Sequence, residues 1–212
     1  MTIRLDDEAW IAAELARAGV PGAALAWIVE AGRLARALEE EAGGRPHVTV
    51  QRGAKVERFE ATAAGVRVAL QGADDVEADL LVGADGPDSR VRALLALPVE
   101  QRPYGETAIV ANFDTEAAHG HVARQWFRPD GVLAWLPLPG QRISIVWSAR
   151  DPVAGEIAAL APAELETRVR EAGGAALGEL RLASRVATFP LRLTRVDRIV
   201  APGVALVGDA AH

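Results

Sequence analysis

The sequence contains no cysteine, which excludes disulfides, thiolate nucleophiles and cysteine-ligated zinc or iron–sulfur centres. Lys55 is the single lysine among 23 cationic side chains, and no block of like charge forms a basic tail or patch. With a formal net charge of −6 and a pI of about 5.3, the chain repels phosphate backbones, so nucleic-acid binding is not expected. No run of 18 apolar residues occurs, so no transmembrane helix is expected. The N-terminus (MTIRLDDEAW) has no apolar core behind a basic stretch, which excludes a signal peptide and makes a cytoplasmic location the expectation. The G-x-S-x-G elbow, the P-loop and H-E-x-x-H are all missing, so serine hydrolase, P-loop NTPase and zincin chemistries find no support. His119 and His121 form an H-x-H pair, but no third histidine or carboxylate is spaced to complete a metal site, and solvent-exposed histidines are expected there.

What is present is a globular balance: 212 residues, 50% apolar and 25% charged, enough for one compact domain or two small ones sharing a core. Helical spacing runs over Glu30–Ala42 on Leu34, Ala37, Leu38 and Ala42, stopped by Gly43-Gly44. Asp88 or Ser89 can cap a short helix carrying Val91, Leu94 and Leu95, stopped by Pro98. Pro162 opens a third helix with a Leu165, Val169, Ala172 stripe that ends at Gly173. A fourth is predicted over Asp7–Ala18. Strands are predicted at HVTV (47–50), KVERFEA (55–61) and GVRVAL (65–70). A larger group follows in TAIVANF, HVARQWF, VLAWLPL and RISIVWS, within 106–148, whose short loops favour antiparallel pairing. Ile143, Ile145 and Trp147 fall on one strand face. Trp126, Trp135 and Trp147 are read as core or as the roof of a ligand site. Arg192, Arg195 and Arg198 are read as a solvated face.

Two aliphatic runs differ from these. Asp79–Val82 and Val204–Val207 do not alternate, which suits strands buried on both faces of a parallel layer. Each delivers a carboxylate to its end. The first runs into Gly83-Ala84-Asp85-Gly86-Pro87-Asp88-Ser89-Arg90-Val91-Arg92, where Gly83 and Gly86 permit a tight turn and close backbone approach. The second runs into Gly208-Asp209-Ala210-Ala211-His212, where Gly208 and Ala210 leave room for a ligand and Asp209 is an acceptor for sugar or ribityl hydroxyls. In open α/β sheets, ligands bind beyond the carboxyl ends of strands. The alternative for each is an ordinary corner, with Asp85 serving only its turn and Asp209 only capping a helix. The two together, in this order and about 120 residues apart, are far more specific than either alone.

The pair GADGPDSRVR and PGVALVGDAAH resembles the second and third flavin motifs of the p-hydroxybenzoate hydroxylase-like FAD-dependent monooxygenases, most closely the ubiquinone-biosynthesis hydroxylases. Trp27-Ile28-Val29-Glu30 leading to Arg33-Leu34, VLAWLPLP with IVWS, and Phe189-Pro190-Leu191 extend the resemblance over roughly 25–212. It implies a mixed α/β fold: an incomplete Rossmann-like FAD-binding domain interleaved with an antiparallel-sheet substrate domain. The implied division is a substrate-domain segment at 1–28, FAD-binding parts at 29–102 and 191–212, and the substrate domain at 103–190. Asp85-Gly86 would lie near the FAD pyrophosphate and the path of the reductant, Gly208-Asp209-Ala210 at the ribityl chain, and Arg33 at the FAD phosphates. The antiparallel sheet would roof the aromatic substrate.

In this family the reduced flavin, supplied with electrons by NAD(P)H, carries the chemistry and passes one oxygen atom of dioxygen to an electron-rich ring. The resemblance therefore implies a small aromatic or polyprenylated quinone-precursor substrate, with peripheral contact at the inner membrane or with a biosynthetic complex. No residue stands out as a catalytic acid or base. The family's opening strand and G-x-G-x-x-G turn are missing, since Gly19 and Gly22 flank Pro21 in the wrong context, and the chain stops at His212 where a covering helix would begin. The expectation is a partial chain with weak or no FAD binding on its own. Salicylate-type hydroxylation, epoxidation, flavin reduction and a non-catalytic, partner-binding remnant are the competing readings.

Overall fold

The computed structural model describes residues 28–212, so the helix expected over Asp7–Ala18 lies outside the described residues. In chain order the elements are α1 (Ala31–Gly43), β1 (Val56–Thr62), β2 (Gly65–Leu70), β3 (Val76–Ala78), β4 (Leu81–Gly83), α2 (Arg90–Leu94), β5 (Val99–Thr115), β6 (Arg124–Arg128), β7 (Gly131–Leu138), β8 (Arg142–Arg150), α3 (Asp151–Ala158), α4 (Pro162–Ala172), β9 (Leu180–Leu182), β10 (Ala187–Val196), β11 (Val200–Ala201) and β12 (Val204–Leu206). A 3-10 turn, Gly208–Ala210, closes the series. The architecture is mixed α/β, and the chain divides into two compact units. One holds the described residues up to Glu39 with Gly105–Leu191; the other holds Glu40–Tyr104 with Arg192–His212.

The first unit is built on a six-stranded sheet of order β10-β5-β8-β7-β6, with β9 also paired to β5. The meander β6-β7-β8 is antiparallel throughout, as its short loops predict. Alternation decides its two faces. Ile109, Ala111, Phe113, Leu133, Trp135, Ile143, Ile145, Trp147 and Ala149 point to one side, where Ala154 and Ile157 of α3 and Leu165, Val169 and Ala172 of α4 cover them. Trp135 and Trp147 are 1% and 0% exposed, so both are core. The Trp147 ring lies under the guanidinium groups of Arg128 and Arg168, at 5.9 and 5.6 Å from its centroid. Asp130 accepts from both arginines at 2.8 Å, and Arg128 also donates to the Ala172 carbonyl at the end of α4 (3.0 Å). Burial pulls the Asp130 pKa up, but the hydrogen bond from Arg128 and the two positive charges outweigh it and hold the carboxyl below its ordinary value.

The second unit contains the antiparallel sheet β1-β2-β3 and the sheet β11-β12-β4. In the latter, β12 runs parallel to β4, with Val204, Ala205 and Leu206 opposite Leu81, Val82 and Gly83.

Several expectations change. HVTV (47–50) is not a strand: residues 48–50 carry no regular structure, and β1 and β3 each pair only with β2. The run at 79–83 is not buried on both faces. Leu80 and Val82 are 53% and 49% exposed because, among the described residues, nothing covers that side of β4. His119 is buried: its Nε2 donates to the carbonyls of Leu138 (3.0 Å) and Gly140 (2.8 Å), while its Nδ1 accepts from the His121 N–H (3.0 Å). An H-x-H read as surface is thus half a staple between a loop and the β7–β8 turn.

Gly173 ends α4 against the face of Trp135. A Cβ there would sit 2.1 Å from Cζ2, and a buried ring cannot move aside. Gly173→Ala is therefore expected to cost about 1–3 kcal/mol. Gly155, in exposed α3 with nothing within 4 Å of its added Cβ, is the control. Gly155→Ala is expected to be neutral or to stabilise by about 0.5–1 kcal/mol. Urea unfolding of both variants checks the contrast.

Candidate functional site

The parallel register of β4 and β12 sets the geometry of the second unit. It places the ends of both strands side by side, and the Val207 N–H continues the ladder to the Gly83 carbonyl at 2.9 Å. Gly83 is needed for this approach, since an added Cβ would meet Leu206 at 2.8 Å and Val91 at 3.0 Å. The chain then turns at Gly86 (φ 83°), and the Ser89 N–H closes the turn onto the Gly86 carbonyl at 3.1 Å with Pro87 second in it.

That turn folds α2 back onto Asp85. One carboxylate oxygen of Asp85 accepts from the Ser89 hydroxyl (2.6 Å), and the other accepts from the N–H groups of Arg90 (2.7 Å) and Val91 (3.1 Å). Ser89 in turn caps the Arg92 N–H at 2.9 Å. Asp85 thus spends its acceptors on the start of α2, and its contribution to any ligand is the shape of the turn.

Asp209 is disposed differently. It is exposed, and among the described residues its carboxylate takes no hydrogen bond and no ion pair. Gly208 before it is left-handed (φ 57°), with no atom within 4 Å of the place its Cβ would occupy, and the same is true of Gly86 on its own turn. Ala210 is fully buried under the 3-10 turn.

The two turns are joined by Arg92, 6% exposed. Its guanidinium donates to the carbonyls of Ala210 (3.0 Å) and Asp209 (3.3 Å) from Nη1, and to the carbonyl of Pro87 from Nη2. Arg92 lies inside the GADGPDSRVR stretch, and its part in joining the two turns is not apparent from that stretch. The available signal was its place three residues after Ser89, on the same helical face as a buried cap. A cavity of about 820 Å³ opens along the other edge of β4, lined by Lys55, Glu57, Val82, Asp85 and Arg90 among others; Asp209 does not line it. Arg33 lies in the other unit, exposed on α1, 3.8 Å from the Glu30 carboxylate. Asp85 and Gly86 thus lie on one turn and Gly208, Asp209 and Ala210 on another, and Arg92 hydrogen-bonds to both turns. Among the described residues, no cluster of three or more His, Cys, Asp or Glu could hold a metal.

A family profile described as FAD binding domain matches residues 14–212. Ubiquinone hydroxylase UbiL of Rhodospirillum rubrum is 33% identical over 188 residues, which is 89% of this chain and 44% of the relative. The 3-demethoxyubiquinol 3-hydroxylase of Escherichia coli is 32% identical over 143 residues, covering 68% of this chain and 36% of that enzyme. Among solved structures, Pseudomonas aeruginosa PqsL in complex with 2-aminobenzoylacetate superimposes with a TM-score of 0.72 at 26% identity, over 84% of this chain and 51% of PqsL. The chain spans about half the length of these proteins or less.

Asp85 carries a pH prediction. Burial raises its pKa, but the bonds from Ser89, Val91 and Arg90 outweigh that and hold it below the ordinary carboxylate value. The folded state then binds this proton more weakly than the unfolded state. The stabilisation is present above the unfolded Asp range and is lost as pH falls through the folded value. Asp85→Asn is expected to flatten the fall in melting temperature between about pH 5 and about pH 3. At neutral pH, Arg92→Met, which strands the buried Ala210 carbonyl and the part-buried carbonyls of Asp209 and Pro87, is expected to cost about 1–3 kcal/mol. Thermal and urea melts read both.

Proposed function

The chain belongs to the FAD binding domain family, and from that premise we propose that it supplies part of an FAD-dependent monooxygenase acting on an aromatic or quinone precursor in ubiquinone biosynthesis. The observation that carries this is the register of β4 and β12, with an Asp-Gly turn and a Gly-Asp turn side by side at the strand ends. The residues fit the cofactor. Space is open beside Gly86 and Gly208, and the unpartnered Asp209 carboxylate is a charged acceptor for ribityl hydroxyls. In this reading, the unit of residues 40–104 and 192–212 holds the dinucleotide, and the unit of residues up to 39 with 105–191 receives the substrate.

Bound FAD, reduced by NAD(P)H, supplies the activation of dioxygen for transfer of an oxygen atom to the ring. The chain's own work is binding and placement. Arg92 fixes the Gly208–Ala210 turn, Asp209 orients the ribityl chain, and Asp85 holds the preceding turn in shape. The relatives support the substrate class: one is named a ubiquinone hydroxylase, and PqsL was solved with 2-aminobenzoylacetate, an aromatic acid. A polyprenylated precursor would bring the protein to a membrane surface as a peripheral contact; among the described residues no helix is long and apolar enough to cross one.

A second reading, a non-catalytic chain that docks on a partner, is favoured by the exposed Leu80 and Val82 on β4. Titration with FAD, followed by quenching of flavin fluorescence, separates the two. Saturable binding is expected, weakened at least tenfold in Asp209→Ala with the melting temperature unchanged. Absence of saturable binding overturns the flavin reading and supports the docking one. Binding indifferent to Asp209→Ala removes Asp209 from the site.

A further inference from the structure

The sheet of the first unit has a second face that no helix covers among the described residues. Its register places Asn112, Ser144 and Leu136 in one row, Val110, Val146 and Ala134 in the next, and Ala108, Ser148 and Val132 in a third. These side chains are small or aliphatic and most are half-buried, so the face is a shallow apolar floor with little hydrogen-bonding capacity.

A carboxylate from outside the strands, that of Glu30, meets this face at Asn112. Glu30 is fixed at the start of α1, where its carbonyl accepts the N–H groups of Arg33 (3.0 Å) and Leu34 (3.1 Å). Its Oε1 accepts from Asn112 Nδ2 at 3.1 Å, which brings the side chain over the floor; it is 34% exposed. Its Oε2 takes no hydrogen bond among the described residues. Arg33 lies 3.8 Å away and is 71% exposed, a weak, solvent-screened contact. Arg142 on the same face is hydrogen-bonded to Asp114 at 2.7 Å, and the Glu30 charge adds to the pull on it. The result is one oriented, half-desolvated acceptor with a free lone pair beside an apolar floor. That arrangement suits a flat apolar ring carrying one O–H donor, because a carboxylate accepts a hydroxyl proton through a short, charge-assisted bond.

We propose that Glu30, oriented by Asn112, is the residue that fixes the phenolic hydroxyl of the substrate on the sheet face opposite α3 and α4. This rests on the reading that the first unit receives the aromatic substrate. Glu30 acts here as a specificity-determining acceptor, Asn112 as a positioning residue, and no proton needs to leave the ring.

The test compares 4-hexylphenol with its methyl ether, 4-hexylanisole, by calorimetric titration of the chain in the presence of FAD. The wild type is expected to prefer the phenol at least tenfold. Glu30→Leu, which keeps the size and removes the acceptor, should bring the ratio below about threefold by weakening the phenol and leaving the ether unchanged. Glu30→Gln, with its neutral acceptor, should fall between, and Asn112→Ala should lower the ratio with Glu30 intact. A merely structural role would shift both ligands equally or lower the melting temperature. Equal binding of phenol and ether by the wild type, a preference that survives Glu30→Leu, or FAD binding with no phenol bound overturns the inference and leaves the flavin reading standing. Failure to bind FAD overturns the flavin reading itself.

Discussion

Arg92 places a full positive charge where water scarcely reaches, with three main-chain carbonyls and no carboxylate as partners. Such a charge is tolerable only while every one of those carbonyls is in place. Two belong to the end of the Gly208–Ala210 turn and one to Pro87, so the guanidinium is satisfied only when residues about 120 positions apart in sequence fold side by side. The carbonyls at the end of a 3-10 turn have no partner of their own, and a cation is the group that suits them. The side-by-side ends of β4 and β12, and so the geometry of the candidate site, depend on this one contact together with the side-chain-free approach at Gly83.

Around it, two aspartates in similar sequence settings do different work. Both follow a short aliphatic strand and neighbour a glycine. After Asp85 comes Gly-Pro-Asp-Ser, whose turn returns the next N–H groups onto the carboxylate, and its charge is consumed locally. After Asp209 come Ala210, which ends the 3-10 turn, and Ala211, and among the described residues its carboxylate takes no hydrogen bond. The residues that follow an aspartate decide whether it builds the site or faces the ligand.

The same logic separates what was legible in the sequence from what was not. Period-2 alternation in RISIVWS and the stripe Leu165, Val169, Ala172 identified the core of the first unit, because a residue's face in a strand or helix is a local property. The parallel relation of the two aliphatic runs was legible too, from their lack of alternation. Their burial was overestimated, because burial depends on what packs from outside, and nothing in Leu80 or Val82 records whether a neighbour is there. His119 was misread for a related reason: the carbonyls it staples belong to residues about 20 positions away. Arg92 and the Glu30–Asn112 bond escaped for the same cause, since an arginine or glutamate is presumed solvated until the fold supplies partners that spacing does not reveal.

The sheet of the first unit shows how one alternating pattern can serve two ends. Along β5, β7 and β8 the side chains that meet α3 and α4 are large: Ile, Phe, Leu and Trp, packed until an indole touches a glycine backbone. The side chains between them are mostly Ala, Ser and Val, with Asn112, Leu136 and the Asp114–Arg142 pair among them. Small side chains make this face shallow, and its rigidity comes from the large side chains on the opposite one. The Trp147 ring, held under Arg128 and Arg168 by Asp130, stiffens β8 from behind. A floor so fixed holds the relation between Asn112 and the Glu30 carboxylate constant, which is what a hydrogen bond needs if it is to discriminate between a hydroxyl and an ether.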